Sequence, residues 1–191
     1  MESLISLFTE KLGLDKKHFD TFYGELQLKT IKKKEYLIRE GAVCKFIGFV
    51  ESGTLRSYVQ NAKEEFNNDF YLDHDLVSAY TSFLTQMPTN CNIQALTNST
   101  IYTISYEKLN ALIANDSAFL KLSKHISDTY FIRKCKRETS FLKHSALERF
   151  ENLSSIYPGI EQRVSQYHIA SYLGIEPESL SRLKLLTYIN K

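Results

Sequence analysis

The stretch Arg163-Val-Ser-Gln-Tyr-His-Ile-Ala-Ser-Tyr-Leu-Gly-Ile-Glu-Pro-Glu-Ser-Leu-Ser-Arg-Leu-Lys184 decides the architecture of the C-terminal part of the chain. Ser165 is placed to cap a helix, its hydroxyl accepting from the otherwise unpaired amides of the first turn. Ile169, Ala170 and Leu173 fall on one face of that helix, and Gly174 supplies the left-handed turn that stops it. A second helix starts at Pro177, where the missing amide donor costs nothing, and turns Leu180 and Leu183 inward. Two closely crossing helices need a small residue at the crossing, a glycine in the turn and an apolar residue six positions beyond it, and Ala170, Gly174 and Leu180 answer in order. The spacing predicts a helix-turn-helix, with an ordinary helical hairpin as the alternative. A helix-turn-helix would offer Glu178, Ser179, Ser181 and Arg182 to a DNA major groove, where Arg pairs bidentately with guanine and Glu accepts from cytosine.

Charge neither supports nor opposes this. The whole chain of 191 residues carries 24 Lys and Arg against 22 Asp and Glu, a net charge of +2. From 139 to 191 the basic residues are Lys143, Arg149, Arg163, Arg182, Lys184 and Lys191, against Glu148, Glu151, Glu161, Glu176 and Glu178, a surplus of one. The footprint is weaker than in strongly basic DNA binders.

Upstream, the hydrophobic period changes twice. Leu4, Leu7, Phe8 and Leu12, then Phe19, Phe22, Tyr23 and Leu26, stand near helical spacing and predict two short helices over 4–28. From Lys32 to Ser105 short β-rich runs follow: Tyr36 to Ile38, Phe46 to Val50, Thr54 to Val59, Glu65 to Tyr71, Asn92 to Leu96 and Ile101 to Ile104. Glu40-Gly41, Glu51-Ser52-Gly53, Gln60-Asn61 and Thr97-Asn98-Ser99 punctuate them, the pattern of an antiparallel sandwich or barrel. Thr54 to Val59 alternates Leu55, Ser57 and Val59 with Arg56, Tyr58 and Gln60, which predicts one solvated face. After Ser105, a helix N-cap, the chain turns helical: Tyr106 to Ala114, then a long helix over Ser117 to Glu138 with Phe119, Leu122, Ile126, Tyr130 and either Phe131 or Arg133 on one stripe. Lys121, Lys124, Arg133, Lys134, Lys136 and Arg137 flank that stripe. It is expected to be covered by the same helix of a second copy, or else by the chain's own barrel. The fold class expected is α+β, with barrel and helices in segregated domains.

In order and spacing the chain resembles the Crp/Fnr family of transcription regulators. The residues that carry the resemblance are Lys34-Glu-Tyr-Leu-Ile-Arg-Glu-Gly41, Phe49-Val-Glu-Ser-Gly53, Asp75-Leu-Val77 and Gln94-Ala-Leu96, then Ile169-Ala-Ser-Tyr-Leu-Gly-Ile175 and Glu178-Ser-Leu-Ser-Arg182. The resemblance implies an N-terminal antiparallel β-roll of jelly-roll type over 1–114, a dimerisation helix over 115–138 and a helix-turn-helix domain over 139–191. It implies that Glu178 and Arg182 read bases while Ser165 and Tyr167 stand at phosphate. In nucleotide-binding members a Gly-Glu pair follows the Asp-Leu-x run and takes the ribose hydroxyl, and a later Arg-Ser or Arg-Thr pair holds the cyclic phosphate. Here Ser78-Ala79, followed by Tyr80, and Thr89-Asn90 occupy those places. With neither a carboxylate nor a guanidinium there, a cyclic nucleotide would be desolvated without compensation, so no cyclic AMP response is expected. The family usually continues into a β-hairpin wing, whereas Thr187 to Lys191 are all that follow Leu186, so wing contacts are expected to be missing.

The expected partners are DNA, a second copy of the chain, RNA polymerase and a small-molecule effector of unknown identity; no cofactor and no membrane partner are expected. Met1 to Leu14 mixes Glu2, Glu10 and Lys11 among its apolar residues, so a cytoplasmic location is expected. Cys44, Cys91 and Cys135 are far apart and read as reduced, mostly buried thiols; lone His74 reads as a turn residue rather than a haem ligand. The rival to a regulator is a β-roll sensor or scaffold protein with a vestigial helix-turn-helix. An enzyme is not expected, because His18, His74, His125, His144 and His168 are scattered and no nucleophile motif or phosphate-binding glycine loop occurs.

Overall fold

The computed structural model describes residues 2–62 and 64–189. Helix α1 (Glu2–Ser6) runs into a π-helical turn (Leu7–Lys11), and α2 (Lys16–Gly24) follows, capped by the Asp15 carboxylate on the His18 amide. The strands are β1 (Gln27–Ile31), β2 (Tyr36–Ile38), β3 (Phe46–Ser52), β4 (Leu55–Gln60), β5 (Glu65–Tyr71), β6 (Leu76–Val77), β7 (Asn92–Ala95) and β8 (Ser99–Ser105), with α3 (Tyr80–Thr85) between β6 and β7. They form two four-stranded antiparallel sheets, ordered β1-β8-β3-β6 and β2-β7-β4-β5, the expected jelly-roll arrangement. Gly53 turns β3 into β4 at φ +120, where a Cβ would fall 2.2 Å from the Ser99 hydroxyl, so no other residue fits that corner.

Beyond the roll come α4 (Tyr106–Asn115), capped by Ser105 as expected, a 3-10 turn (Ser117–Phe119), and the long α5 (Leu120–Lys143), which continues past the expected end at Glu138. Then follow α6 (Ala146–Glu151), α7 (Leu153–Ile156), α8 (Ile160–Arg163), α9 (Gln166–Leu173) and α10 (Pro177–Ile189). Asn190 and Lys191, part of the segment where a wing was looked for, lie outside the described residues.

Four expectations need correction. The segment near Leu26 and Leu28 is not helical: β1 starts at Gln27 and pairs with β8, Leu28 opposite Tyr102. Strand β4 has no solvated face, since Arg56 and Tyr58 are as buried as Leu55 and Ser57. The stripe Phe119, Leu122, Ile126 and Tyr130 is covered by the chain's own roll, in one core with Ile47, Val77 and Ile104, and needs no second copy. Phe131 points to solvent, 71% exposed, while Arg133 turns inward to Asp69 and Asp75. Finally, Cys135 is exposed, although Cys44 is buried and Cys91 half-buried.

Barrel and helices segregate along the chain, yet they share a core. Phe70 and Leu72 pack with Phe150, Leu153, Tyr157, Ile169, Tyr172 and Leu180 of the C-terminal helices. This docking explains β4: its outward Arg56 lies under α9 rather than under water.

Candidate nucleic-acid interface and effector cavity

Local chemistry builds the helix-turn-helix as its spacing predicts. The Ser165 hydroxyl accepts from the His168 amide at 3.4 Å, and Ile169, Ala170 and Leu173 of α9 are fully buried. Gly174 closes α9 at φ +68, where a Cβ would stand 2.8 Å from the Phe141 ring of α5. Leu180 of α10 is buried in the crossing, whereas Leu183 is only half-buried. Arg149 of α6 holds the last carbonyl of α9 twice, Nε and Nη2 lying 3.2 and 2.9 Å from the Leu173 oxygen. Ser145 and Glu148 cap α6 reciprocally in a capping box.

On the outside, Glu178, Ser181 and Arg182 are exposed and Ser179 is half-buried, all on α10; Ser165 and Tyr167 are exposed at the start of α9. Arg182 makes one local contact, donating to the Ser179 hydroxyl at 3.3 Å, and Ser181 bonds the Pro177 carbonyl. Three other cations of this domain are engaged: Lys184 with Glu161 at 2.5 Å, Arg163 with Asp73 at 2.5 Å, Arg149 with backbone carbonyls. Arg182 thus has no ion-pair partner among the described residues and is free to pair with a ligand, and the weak charge footprint expected from composition persists.

The join between roll and helices was not foreseen from the sequence. The Tyr157 hydroxyl donates to Asp69 at 2.6 Å, and Arg133 approaches the same carboxylate at 3.4 Å and Asp75 at 3.0 Å. Burial and the Asp69 charge push the Tyr157 phenol well above its ordinary pKa, so it stays a donor. Ser171 of α9 donates to the Glu65 carbonyl and accepts from the Asn67 amide, both at 2.9 Å, which adds α9 to the edge of β5. Arg56 pairs with Glu65 at 2.6 Å and Gln94 at 2.8 Å, and lies 3.2 Å from His168 Nδ1. Burial, then the Arg56 charge, lower the His168 pKa to about 4. The one sequence signal for this join is the polar run Asn67-Asn68-Asp69 inside a strand that would otherwise be apolar.

A cavity of about 980 Å³ opens between β4, β5, α3 and α5. Ser78, Ala79, Tyr80, Thr89 and Asn90 all line it. Its walls hold no arginine among the described residues; Lys134 is its cation and is exposed. Ser78 is committed to the Phe46 carbonyl at 2.9 Å and the Thr89 hydroxyl to the Cys91 amide at 3.2 Å. His74 lies elsewhere, in the turn between β5 and β6 at φ +73, its Nδ1 3.0 Å from the Ser3 hydroxyl.

Residues 28–116 match the cyclic nucleotide-binding domain family. No curated protein matches the chain in sequence. Among solved structures, FixK2 from Bradyrhizobium japonicum superposes with a TM-score of 0.71 at 16% identity, over 86% of this chain and 85% of that one. The c-di-GMP responsive global regulator CLP of Xanthomonas campestris gives 0.69 at 17% identity, over 92% and 93%. A crp/fnr-family protein from Eubacterium rectale gives 0.67 at 17%, over 93% and 85%. At such identities the likeness is one of fold. Residues 28–116 thus match the cyclic nucleotide-binding domain family, and the chain that contains them shares the fold of these solved structures, one of them a crp/fnr-family protein.

Proposed function

We propose that the chain is a sequence-specific DNA-binding transcription regulator that works as a homodimer and does not respond to cyclic AMP. The observation that carries this is the surface of α10: Leu180 anchors the helix while Glu178, Ser181 and Arg182 face outward, with Ser165 and Tyr167 beside them at the start of α9. In a major groove Arg182 pairs with guanine and Glu178 accepts from cytosine, while Ser165 and Tyr167 meet the backbone. RNA polymerase is the downstream partner of such a regulator, and a cytoplasmic location goes with it; among the described residues no helix is long and apolar enough to cross a membrane. The second copy docks along α5, where Phe131, Ile132 and Leu142 are exposed. Against cyclic AMP stand the absence of arginine from the cavity walls and the commitment of Ser78 and Thr89 to backbone partners; an uncharged effector suits those walls better.

The test is selection of fragments from sheared genomic DNA by the purified full chain. A bidentate Arg–guanine pair is worth about 1–3 kcal/mol of discrimination, so Arg182→Ala should abolish enrichment of a common sequence while leaving the fold intact. Unchanged enrichment would overturn the assignment in favour of a scaffold role for the helix-turn-helix.

A further inference from the structure

Buried polar groups that find no partner cost about 1–3 kcal/mol each and call for a reason. Among the described residues two such atoms belong to side chains that line the same cavity: the Tyr130 hydroxyl and the Asn68 Oδ1. Tyr130 is 6% exposed, and its ring is fixed by stacking on Tyr80 at 4.4 Å between centroids, with the Tyr80 hydroxyl tied to Ser127 at 2.7 Å. Asn68 is the extra residue of a β-bulge, lying between the pairs Tyr58↔Asn67 and Ser57↔Asp69. A bulge of this kind re-aims a side chain at the expense of a regular ladder.

Several other polar groups of the cavity are already used. Asp69 serves Tyr157 and Arg133, Asp128 pairs with Lys124, and Ser82 donates to the Met87 carbonyl. Exposed Leu84, Met87 and Phe131 form an apolar rim. Among the buried atoms of the described lining residues, those left without a partner are one hydroxyl and one amide carbonyl, set among apolar and aromatic side chains, while the cavity's cation, Lys134, is exposed.

We infer that this cavity takes an uncharged small molecule with an apolar body, which offers a hydrogen-bond acceptor to Tyr130 and an N–H or O–H donor to Asn68, the chemistry of a carboxamide. This deepens the effector reading above and rests on it. A carboxylate or phosphate would bring a charge that meets only the exposed, solvated Lys134, and would have no proton to give to Asn68.

The probes are benzamide, its charged counterpart benzoate, and cyclic AMP, each titrated to about 20 mM in equilibrium dialysis and thermal unfolding of the full chain. Benzamide should bind and raise the melting temperature, and the two anions should bind at least five times more weakly. Tyr130→Phe and Asn68→Ala should each weaken benzamide about five- to tenfold, the worth of one neutral hydrogen bond. Because Tyr130→Phe removes a hydroxyl that has no partner, it should fold at least as stably as the wild-type chain, and Asn68→Ala provides an independent reading. Benzoate or cyclic AMP binding as tightly as benzamide, undiminished benzamide binding by both variants, or no benzamide binding by the wild-type chain would each overturn the inference. None of these outcomes touches the genomic DNA selection by Arg182, so a failure of the ligand class and a failure of DNA recognition are told apart.

Discussion

His168 sits where a strand of the roll meets the first helix of the helix-turn-helix, facing Arg56 of β4 and, beyond it, Glu65 of β5. Burial and then Arg56 keep its imidazole neutral down to about pH 4, against an ordinary pKa of 6.5. As the pH falls below 6.5 the unfolded chain takes up a proton that the folded chain refuses. This histidine's contribution to stability is therefore complete above pH 6.5 and is lost progressively toward pH 4. Urea unfolding of the wild-type chain and of His168→Gln between pH 7 and 4 should give curves that converge as the pH drops, most of the change lying between 6.5 and 4; parallel curves would refute this. Asp69 is the stronger dependence. Its removal leaves the Tyr157 hydroxyl with only the Tyr172 hydroxyl at 3.4 Å and Arg133 with Asp75 alone, so Asp69→Ala should cost about 3–5 kcal/mol in denaturant unfolding, and Asp69→Asn, which keeps an acceptor, clearly less.

At the scale of elements, the turn between α9 and α10 depends on one residue for two reasons. Gly174 has φ +68, a conformation that costs a side chain about 1–2 kcal/mol, and its open side lies against Phe141 at 2.8 Å from where a Cβ would be. Gly174→Ala should lower stability by about 2 kcal/mol or more, and Phe141→Leu in the same chain should recover the steric share but not the conformational one; denaturant unfolding of the double-mutant cycle separates them. Such local signals are why this element was legible: Ser165, Gly174 and Pro177 act within one turn of where they stand. Strand β1 was not legible, because only Ile31 of its five residues is buried and Leu26 and Leu28 prolong the spacing of α2. Strand β6 is two residues long, too short to show any period. In β4 the alternation was real but its outer face is covered by α9, a contact across more than 100 residues that no local pattern announces.

At the scale of the molecule the same limit separates what the sequence revealed from what it hid. Ser78, Ala79, Tyr80, Thr89 and Asn90 could be placed together because the motif order of a known family brings them together, and they do share one cavity. Tyr130 and Asn68 could not, since one reads as a core position of a helix and the other as a polar residue in a strand, and only packing joins them. The long helix is misleading in sequence for a related reason: its most regular stripe faces its own roll, which leaves the face outward of it to be explained. That face carries Phe131, Ile132 and Leu142, the last 84% exposed, with Cys135 among them. Phe131, Cys135 and Leu142, the latter two four and eleven residues beyond the first, fall on one side of α5 with Ile132 at its edge, as a seam between two like helices requires. A stable dimer buries about 800 Å² per partner, and glutamates placed at Phe131 and Leu142 would set like charges against each other along such a seam. The wild-type chain should sediment at twice its 22.1 kDa, and the double variant Phe131→Glu, Leu142→Glu at 22.1 kDa with its far-ultraviolet circular dichroism unchanged. Neither side chain belongs to the buried core, so the substitutions should act on association and not on folding. A wild-type chain that sediments as a monomer at tens of micromolar would refute the homodimer, and a double variant that remains dimeric would move the seam to another face.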